Sequence, residues 1–196
     1  MKQMIIATKN KGKAAEFKEF FGTYGIEGKA LLDLEEELPD IEETGTTFEE
    51  NAALKAEQIA AILQLPVLAD DSGLIIDALH GEPGVFSARY AGEQTNDQAN
   101  IDKVLHKMRN VPQEKRTGRF ICVLAIAVPG ARTAFRTGYC EGEIASTQAG
   151  LNGFGYDPIF VPEGYNMTMA QLSAIEKNQI SHRKNAIAQL DNWMQK

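Results

Sequence analysis

Four lysines and no acidic residue fall between Met1 and Lys13, in a chain whose formal net charge is −7. Three of them belong to Thr8-Lys9-Asn10-Lys11-Gly12-Lys13, a polar turn between an apolar run and an amphipathic one. Free backbone N–H groups, a helix dipole and mobile ammonium groups all favour a phosphate at such a turn. The segment is not a Walker A loop, since GxxxxGKS and GxxxxGKT are absent and Gly12 is its only glycine. A solvated basic turn is the plainer alternative.

A second group is acidic. Nine Asp or Glu lie between Asp33 and Glu50, with no Lys or Arg from Ala30 to Leu54. Most of these read as a solvated acidic loop, but Glu42-Glu43-Thr44-Gly45 places a glycine turn just ahead of a capped helix. Asp70-Asp71-Ser72-Gly73 follows an apolar strand directly, where α/β folds put their ligand crevice. Two carboxylates so close repel unless a cation or a proton resolves them. Mg²⁺ takes one or two carboxylates with substrate phosphates completing its shell; a turn whose aspartates bond nearby backbone is the alternative.

A third group is aromatic and basic. Asn152-Gly153-Phe154-Gly155-Tyr156-Asp157-Pro158 offers aromatic faces on a flexible backbone, suited to a flat base or simply to packing. Ser181-His182-Arg183 opens a helix, where cations oppose the dipole and an anion or a carbonyl acceptor would offset them. Together the three groups are what a nucleoside triphosphate with a metal ion requires.

These residues need a frame. Met4-Ile5-Ile6-Ala7 reads as a short buried strand, and Asn10 as the cap of a helix burying Phe17, Phe20 and Phe21. Thr46 and Glu49 predict a capping box for a helix from Phe48 to about Leu63, which carries Ala52, Leu54, Ala56, Ile59, Ala60 and Leu63. Pro66 ends it, Val67-Leu68-Ala69 is the next buried strand, and Leu74-Ile75-Ile76 resumes the apolar run. Gly81 to Gly92 reads as loop, and Asn96 to Asn110 as a helix burying Ile101, Val104, Leu105 and Met108. Phe120–Val128 and Thr133–Ile144 read as a hairpin about Pro129-Gly130-Ala131-Arg132. Ile159-Phe160-Val161 is a further apolar run. A last helix starts near Ser181 and buries Ala186, Ile187 and Leu190 with Trp193 or Met194. Strands alternating with helices predict an α/β or α+β fold with a mixed sheet.

At 196 residues, 43% of them hydrophobic and 24% charged, the chain fits one globular domain with an ample core. The acidic balance argues against nucleic acid or an anionic membrane as partner. No apolar run reaches the length of a membrane span, and Met1-Lys2-Gln3 leads into a strand-like segment rather than a secretory signal, so the expected compartment is the cytoplasm. Cys122 and Cys140 make no disulfide framework and are expected to stay reduced, facing each other if the hairpin register allows.

In order along the chain, Thr8-x-Asn10-x-x-Lys13, Glu42-Glu43-Thr44-Gly45 with Phe48-x-x-Asn51-Ala52, Ala69-Asp70-Asp71-Ser72-Gly73-Leu74, Pro83-Gly84-Val85-x-Ser87-Ala88-Arg89-Tyr90, Phe154-Gly155-Tyr156-Asp157-Pro158 and Ser181-His182-Arg183 resemble the inosine/xanthosine triphosphate pyrophosphatases, the Ham1-like family. The resemblance spans nearly the whole chain. It implies one domain over residues 1–196, an elongated mixed β-sheet flanked by helices in two lobes with a central cleft, and a homodimer. It implies Mg²⁺-dependent hydrolysis of dITP, ITP and XTP to the monophosphate and pyrophosphate. By motif position, Thr8, Lys9, Asn10, Lys11, Gly12 and Lys13 would hold the phosphates, and Glu42 and Asp71 the metal. Asp71 would also accept the proton, with Ser72 touching substrate. Phe154, Gly155, Tyr156, Asp157, Lys177, His182 and Arg183 would hold the nucleotide, largely at its base. A Maf-like pyrophosphatase of another base preference and a nucleotide sensor without turnover are the competing readings.

Overall fold

The computed structural model describes residues 2–35, 38–92 and 96–191. Six strands form one mixed sheet in the order β2-β1-β3-β4-β5-β6. In chain order they are β1 (Gln3–Ile6), β2 (Glu27–Ala30), β3 (Val67–Ile76), β4 (Thr117–Ala127), β5 (Ala134–Ile144) and β6 (Phe160–Pro162). Among the described residues five α-helices accompany them: α1 (Lys11–Thr23), α2 (Phe48–Leu63), α3 (Asp97–Met108), α4 (Ala174–Ile180) and α5 (His182–Ala188). β1 pairs parallel to both β2 and β3, whereas β5 and β6 are antiparallel. The expected α/β class with a mixed sheet is what the chain adopts.

The chain divides into two compact units. The first comprises Met1–Asp71, Cys122–Thr137 and Ala186–Lys196. Its core joins Met4 and Ile6 of β1, Phe17 and Phe21 of α1, Leu68 of β3 and Leu124 of β4 to Ile187 and Leu190. Phe17 and Phe21 lie four residues apart, so one helix face carries both, and each contributes about 1.5–3 kcal/mol through burial. Asn10 caps α1 as expected, its side chain accepting the Lys13 N–H at 3.1 Å. The second unit comprises Ser72–Ile121 and Gly138–Asn185. There Ile101, Val104 and Met108 of α3 meet Leu74 and Ile76 of β3, Phe120 of β4 and Phe160 of β6.

Several elements differ from expectation. The cap of α2 is Thr47 with Glu50, one residue beyond the Thr46–Glu49 box. The shift serves both threonines, because Glu50 Oε2 accepts the N–H of Thr46 at 2.6 Å and of Thr47 at 3.1 Å. It also puts buried Phe48 at the first helical position. Leu54 and Leu63 of this helix are half-buried rather than core. Asp70-Asp71-Ser72-Gly73 is not a turn: β3 runs through it without a break. The 81–92 loop contains a 3₁₀ segment, Gly84–Arg89. α4 has no counterpart in the expected elements, although Ser173 and Glu176 form a capping box. Cys122 and Cys140 form no disulfide and are buried, and each belongs to the core of a different unit. Trp193 and Met194 lie outside the described residues. No helix among the described residues is long and apolar enough to cross a membrane.

Candidate functional site

In the first unit, β1 and β3 run parallel with Ile6 opposite Leu68; β1 ends there, while β3 runs on through Asp70 and Asp71. Parallel strands of α/β sheets carry ligands at their carboxyl ends. The Ala7 N–H donates to the Leu68 carbonyl at 2.7 Å and the Thr8 N–H to the Ile6 carbonyl at 2.8 Å. Thr8 Oγ1 then accepts the Asn10 N–H at 3.1 Å, and Asn10 starts α1. The first turn of α1 carries no acid, only Lys11 and Lys13, so the turn itself places no carboxylate at the positive end of its dipole. Lys11 and Gly12 are exposed. Lys9 pairs with Asp40 at the surface, whereas Lys13 Nζ lies 2.7 Å from Asp70 Oδ2, a carboxylate only 3% exposed.

α2 supplies the other half of this cluster. Asn51 and Lys55 are four residues apart and share one face. Asn51 Nδ2 donates to Asp71 Oδ2 at 3.3 Å, while its Oδ1 accepts the Gly45 N–H at 2.8 Å. A Cβ on Gly45 would come within 2.7 Å of Asn51 Oδ1, so the glycine allows the approach. Lys55 Nζ donates to Glu43 Oε1 at 2.8 Å and to the Asp70 carbonyl at 2.6 Å, and lies 4.0 Å from Asp71 Oδ1. Burial opposes its charge, yet Asp70, Asp71 and Glu43 together hold its pKa above the ordinary lysine value. The ammonium group therefore stays protonated at neutral pH.

Thr8, Lys9, Lys13, Glu43, Lys55 and Asp70 line the polar wall of a cavity of about 730 Å³, and leucines of the 31–38 segment line part of the rest. The cavity holds three lysines, each paired with an acid: Lys9 with Asp40, Lys13 with Asp70, Lys55 with Glu43. An entering polyphosphate must displace those acids from the lysines or share them through a divalent cation. Asp71 is buried immediately behind this wall, and Glu42 is exposed. The donors suit Mg²⁺, which takes hard oxygens and needs few carboxylates from the protein. Among the described residues no three Asp, Glu, His or Cys side chains gather into a ready-made metal cage.

The second unit holds the remaining residues. Ser72 is half-exposed on β3. Asp157, 4% exposed, accepts the Phe154 N–H at 2.9 Å and an ion pair from Lys177 of α4. Lys177 Nζ also stands 4.7 Å from the centroid of the Phe154 ring. Gly153 has φ +78°, and a Cβ there would strike Asp157 Oδ2. Gly155, at φ +59°, donates its N–H to Asp97 Oδ2 at 2.7 Å. Phe154 is 61% exposed, so its ring is the available aromatic face of the loop. Tyr156 is buried and donates its hydroxyl to the Ser87 carbonyl at 2.8 Å, and burial pushes the phenol's pKa upward. His182 stacks on Phe120 at 5.1 Å, and Arg183 beside it is buried. Ser181 opens α5, its Oγ accepting the Lys184 N–H at 3.1 Å.

Four residues of these clusters were not among the predicted site residues. Lys55 and Asn51 share a helical face four residues apart, a signal that needed the carboxylates on its far side to become informative. Glu43, not its neighbour Glu42, lines the cavity. Asp97 looks like an ordinary first-turn acid of α3 and carries no local mark of its contact with Gly155.

The Ham1 family matches the chain over residues 4–193. A dITP/XTP pyrophosphatase of Oceanobacillus iheyensis is 68% identical over 99% of this chain and 98% of its own length. The dITP/XTP pyrophosphatase of Halalkalibacterium halodurans is 56% identical, over 99% of this chain and all of its own. Among solved structures, the Ham1 protein of Staphylococcus aureus superposes with a TM-score of 0.91 at 47% identity, covering 99% of this chain and 98% of that one. A HAM1 protein from Coxiella burnetii gives 0.92 at 42% identity, covering 100% and 99%.

Proposed function

Because the chain belongs to the Ham1 family, we infer that it is a nucleoside-triphosphate pyrophosphatase acting on deaminated purine nucleotides, dITP, ITP and XTP. The observation that carries the reading is the carboxylate pair at Asp70 and Asp71, tied to Lys13 and Lys55 beside a cavity at the carboxyl end of β1, where β3 runs on past it. A binding protein needs lysines for a polyphosphate; it has no need of buried carboxylates among them. Those carboxylates suit proton transfer and metal-assisted hydrolysis.

In this reading the turn from Thr8 to Lys13 holds the phosphates. Asp71 removes a proton from the water that attacks the α-phosphorus, and the bond between that phosphorus and the α–β bridging oxygen breaks. Lysine ammonium groups stabilise the departing pyrophosphate. Asp71 with Glu42 or Glu43 would hold Mg²⁺, which when bound neutralises charge on the polyphosphate oxygens. Glu43 is the better placed of the two glutamates, since it lines the cavity. The base falls to Phe154, Lys177, His182 and Arg183, with Ser72 against the substrate. Tyr156 and Asp157, both buried, shape the loop that carries Phe154. Hypoxanthine and xanthine present a 6-oxo acceptor where adenine presents an amino donor, so donors at this end disfavour ATP by about 1–3 kcal/mol per mismatched group. The family resemblance also supports one domain of two lobes, a cytoplasmic enzyme and a homodimer, the last of which sedimentation velocity would test.

Pyrophosphate release from a panel of nucleoside triphosphates with Mg²⁺ tests the function. dITP and XTP are expected to exceed ATP, dTTP and UTP in kcat/KM by tenfold or more. Equal or faster turnover of dTTP or UTP would favour a Maf-like enzyme instead, and binding without turnover a sensor.

A further inference from the structure

The loop from Asn152 to Asp157 is held in place from outside as well as from within. Inside it, Asp157 accepts the Phe154 N–H. Outside it, two bonds lead towards the start of α3. Gly155 donates its N–H to Asp97 Oδ2 at 2.7 Å, and Tyr156 donates its hydroxyl to the Ser87 carbonyl at 2.8 Å. That carbonyl also accepts Asn100 Nδ2 at 3.4 Å, and Asn100 lies three residues beyond Asp97 on the same helical face. Asn100 is 3% exposed and its Oδ1 accepts the Ala91 N–H at 2.7 Å, so the first turn of α3 is itself anchored. Asn96 caps that turn by accepting the Ala99 N–H at 3.0 Å.

Gly155 needs such a contact. At φ +59°, flanked by two aromatic residues, it occupies a conformation that glycine reaches as easily as several others. Fixing one residue's backbone costs roughly 1–2 kcal/mol of conformational entropy, and a charge-assisted hydrogen bond is of the size to offset it. Asp97 is exposed, takes no part in a core and makes no ion pair among the described residues. Its carboxylate at a helix start is a common feature, but its bond to a loop 58 residues away is not a capping bond.

We propose that Asp97 is a positioning residue for the base: through the Gly155 N–H it fixes the peptide that follows Phe154, and so the attitude of the exposed ring. The proposal rests on the functional reading above, in which Phe154 meets the purine. It adds a residue from α3 to the base end and leaves the phosphate end untouched.

Asp97→Ala and Asp97→Asn test it, with steady-state kinetics on dITP and with inorganic pyrophosphate as a competitive probe of the phosphate end. Asp97→Ala is expected to raise KM for dITP about five- to thirtyfold, the range of one hydrogen bond to a charged acceptor at a partly screened site. kcat should change less than threefold and pyrophosphate inhibition less than twofold. Asp97→Asn keeps an acceptor oxygen without the charge, and should bring KM back to within threefold of the parent. A KM unchanged in Asp97→Ala, an equal loss in pyrophosphate inhibition, or an Asn variant as impaired as the Ala variant would each overturn the role. Amide hydrogen exchange on the unaltered protein gives a reading that needs no variant. The Gly155 N–H should be protected at least tenfold over an open loop amide, and free exchange there would refute the contact. A parent enzyme that releases no pyrophosphate from dITP would overturn the functional reading itself. Turnover with an indifferent Asp97→Ala would overturn the positioning role alone.

Discussion

Lys55→Met removes a cation that touches Glu43, the Asp70 carbonyl and the neighbourhood of Asp71, while keeping a stem of similar length and packing. A unit charge 4.0 Å from Asp71 Oδ1 is worth on the order of 4 kcal/mol gross at an effective dielectric of 20. Desolvation of the ammonium offsets part of that. The side chains of Lys55, Asp71 and Glu43 are 17%, 11% and 30% exposed, between the surface and the interior. Exposed pairs contribute up to about 1 kcal/mol, and breaking a buried one costs about 3–5. The expected loss is therefore about 2–3 kcal/mol at pH 7, which for a chain of this size lowers Tm by about 5–10 °C. Urea titration and a thermal scan followed by circular dichroism would measure both.

The pH dependence has a definite sign. The pKa of Lys55 is raised in the folded protein, so its stabilisation is complete below the ordinary lysine value of about 10.5. It is lost only as pH rises through the higher folded value. The gap between parent and variant should thus stay constant from pH 6 to 9 and narrow above about 10.5. A gap under about 0.5 kcal/mol at pH 7, or one that widens in alkali, would refute the view of Lys55 as the shared counter-ion of three acidic residues.

Asp71→Asn removes a base and a metal oxygen at nearly constant volume, and should lower kcat for dITP by about a thousandfold or more while the protein still folds. Retained activity within tenfold in a pyrophosphate-release assay would take the base role from Asp71. Glu43→Gln and Glu42→Gln separate the two adjacent glutamates. The first should raise the Mg²⁺ concentration needed for half-maximal rate and the second should leave it within twofold, because Glu43 lines the cavity and Glu42 is exposed. The reverse order would return the metal to Glu42.

Much of the frame is visible in local pattern. The β1 run, the Asn10 cap and the Phe17–Phe21 face are short-range features, governed by strand and helix periodicity and by one side-chain bond. α3 starts at its Asn96 cap for the same reason. Where two local solutions compete, pattern fails by a residue. Thr46 and Thr47 with Glu49 and Glu50 offer two capping boxes, and the burial of Phe48 goes with the second. The Asp70–Gly73 stretch has turn composition, yet it continues a strand because neighbours in the sheet supply its backbone partners.

Which residue types would do the chemistry was legible from the chain alone: lysines at a strand–helix turn, paired carboxylates after a strand, an aromatic glycine loop. Their partners were not. That Lys13 meets Asp70, that Lys55 meets Glu43, and that Asp97 reaches Gly155 are contacts between residues 57, 12 and 58 positions apart. No propensity encodes such pairs. They arise because strands, helices and loops distant in the chain pack against one another, which brings distant polar groups within a few ångströms where desolvation makes each choice of partner count.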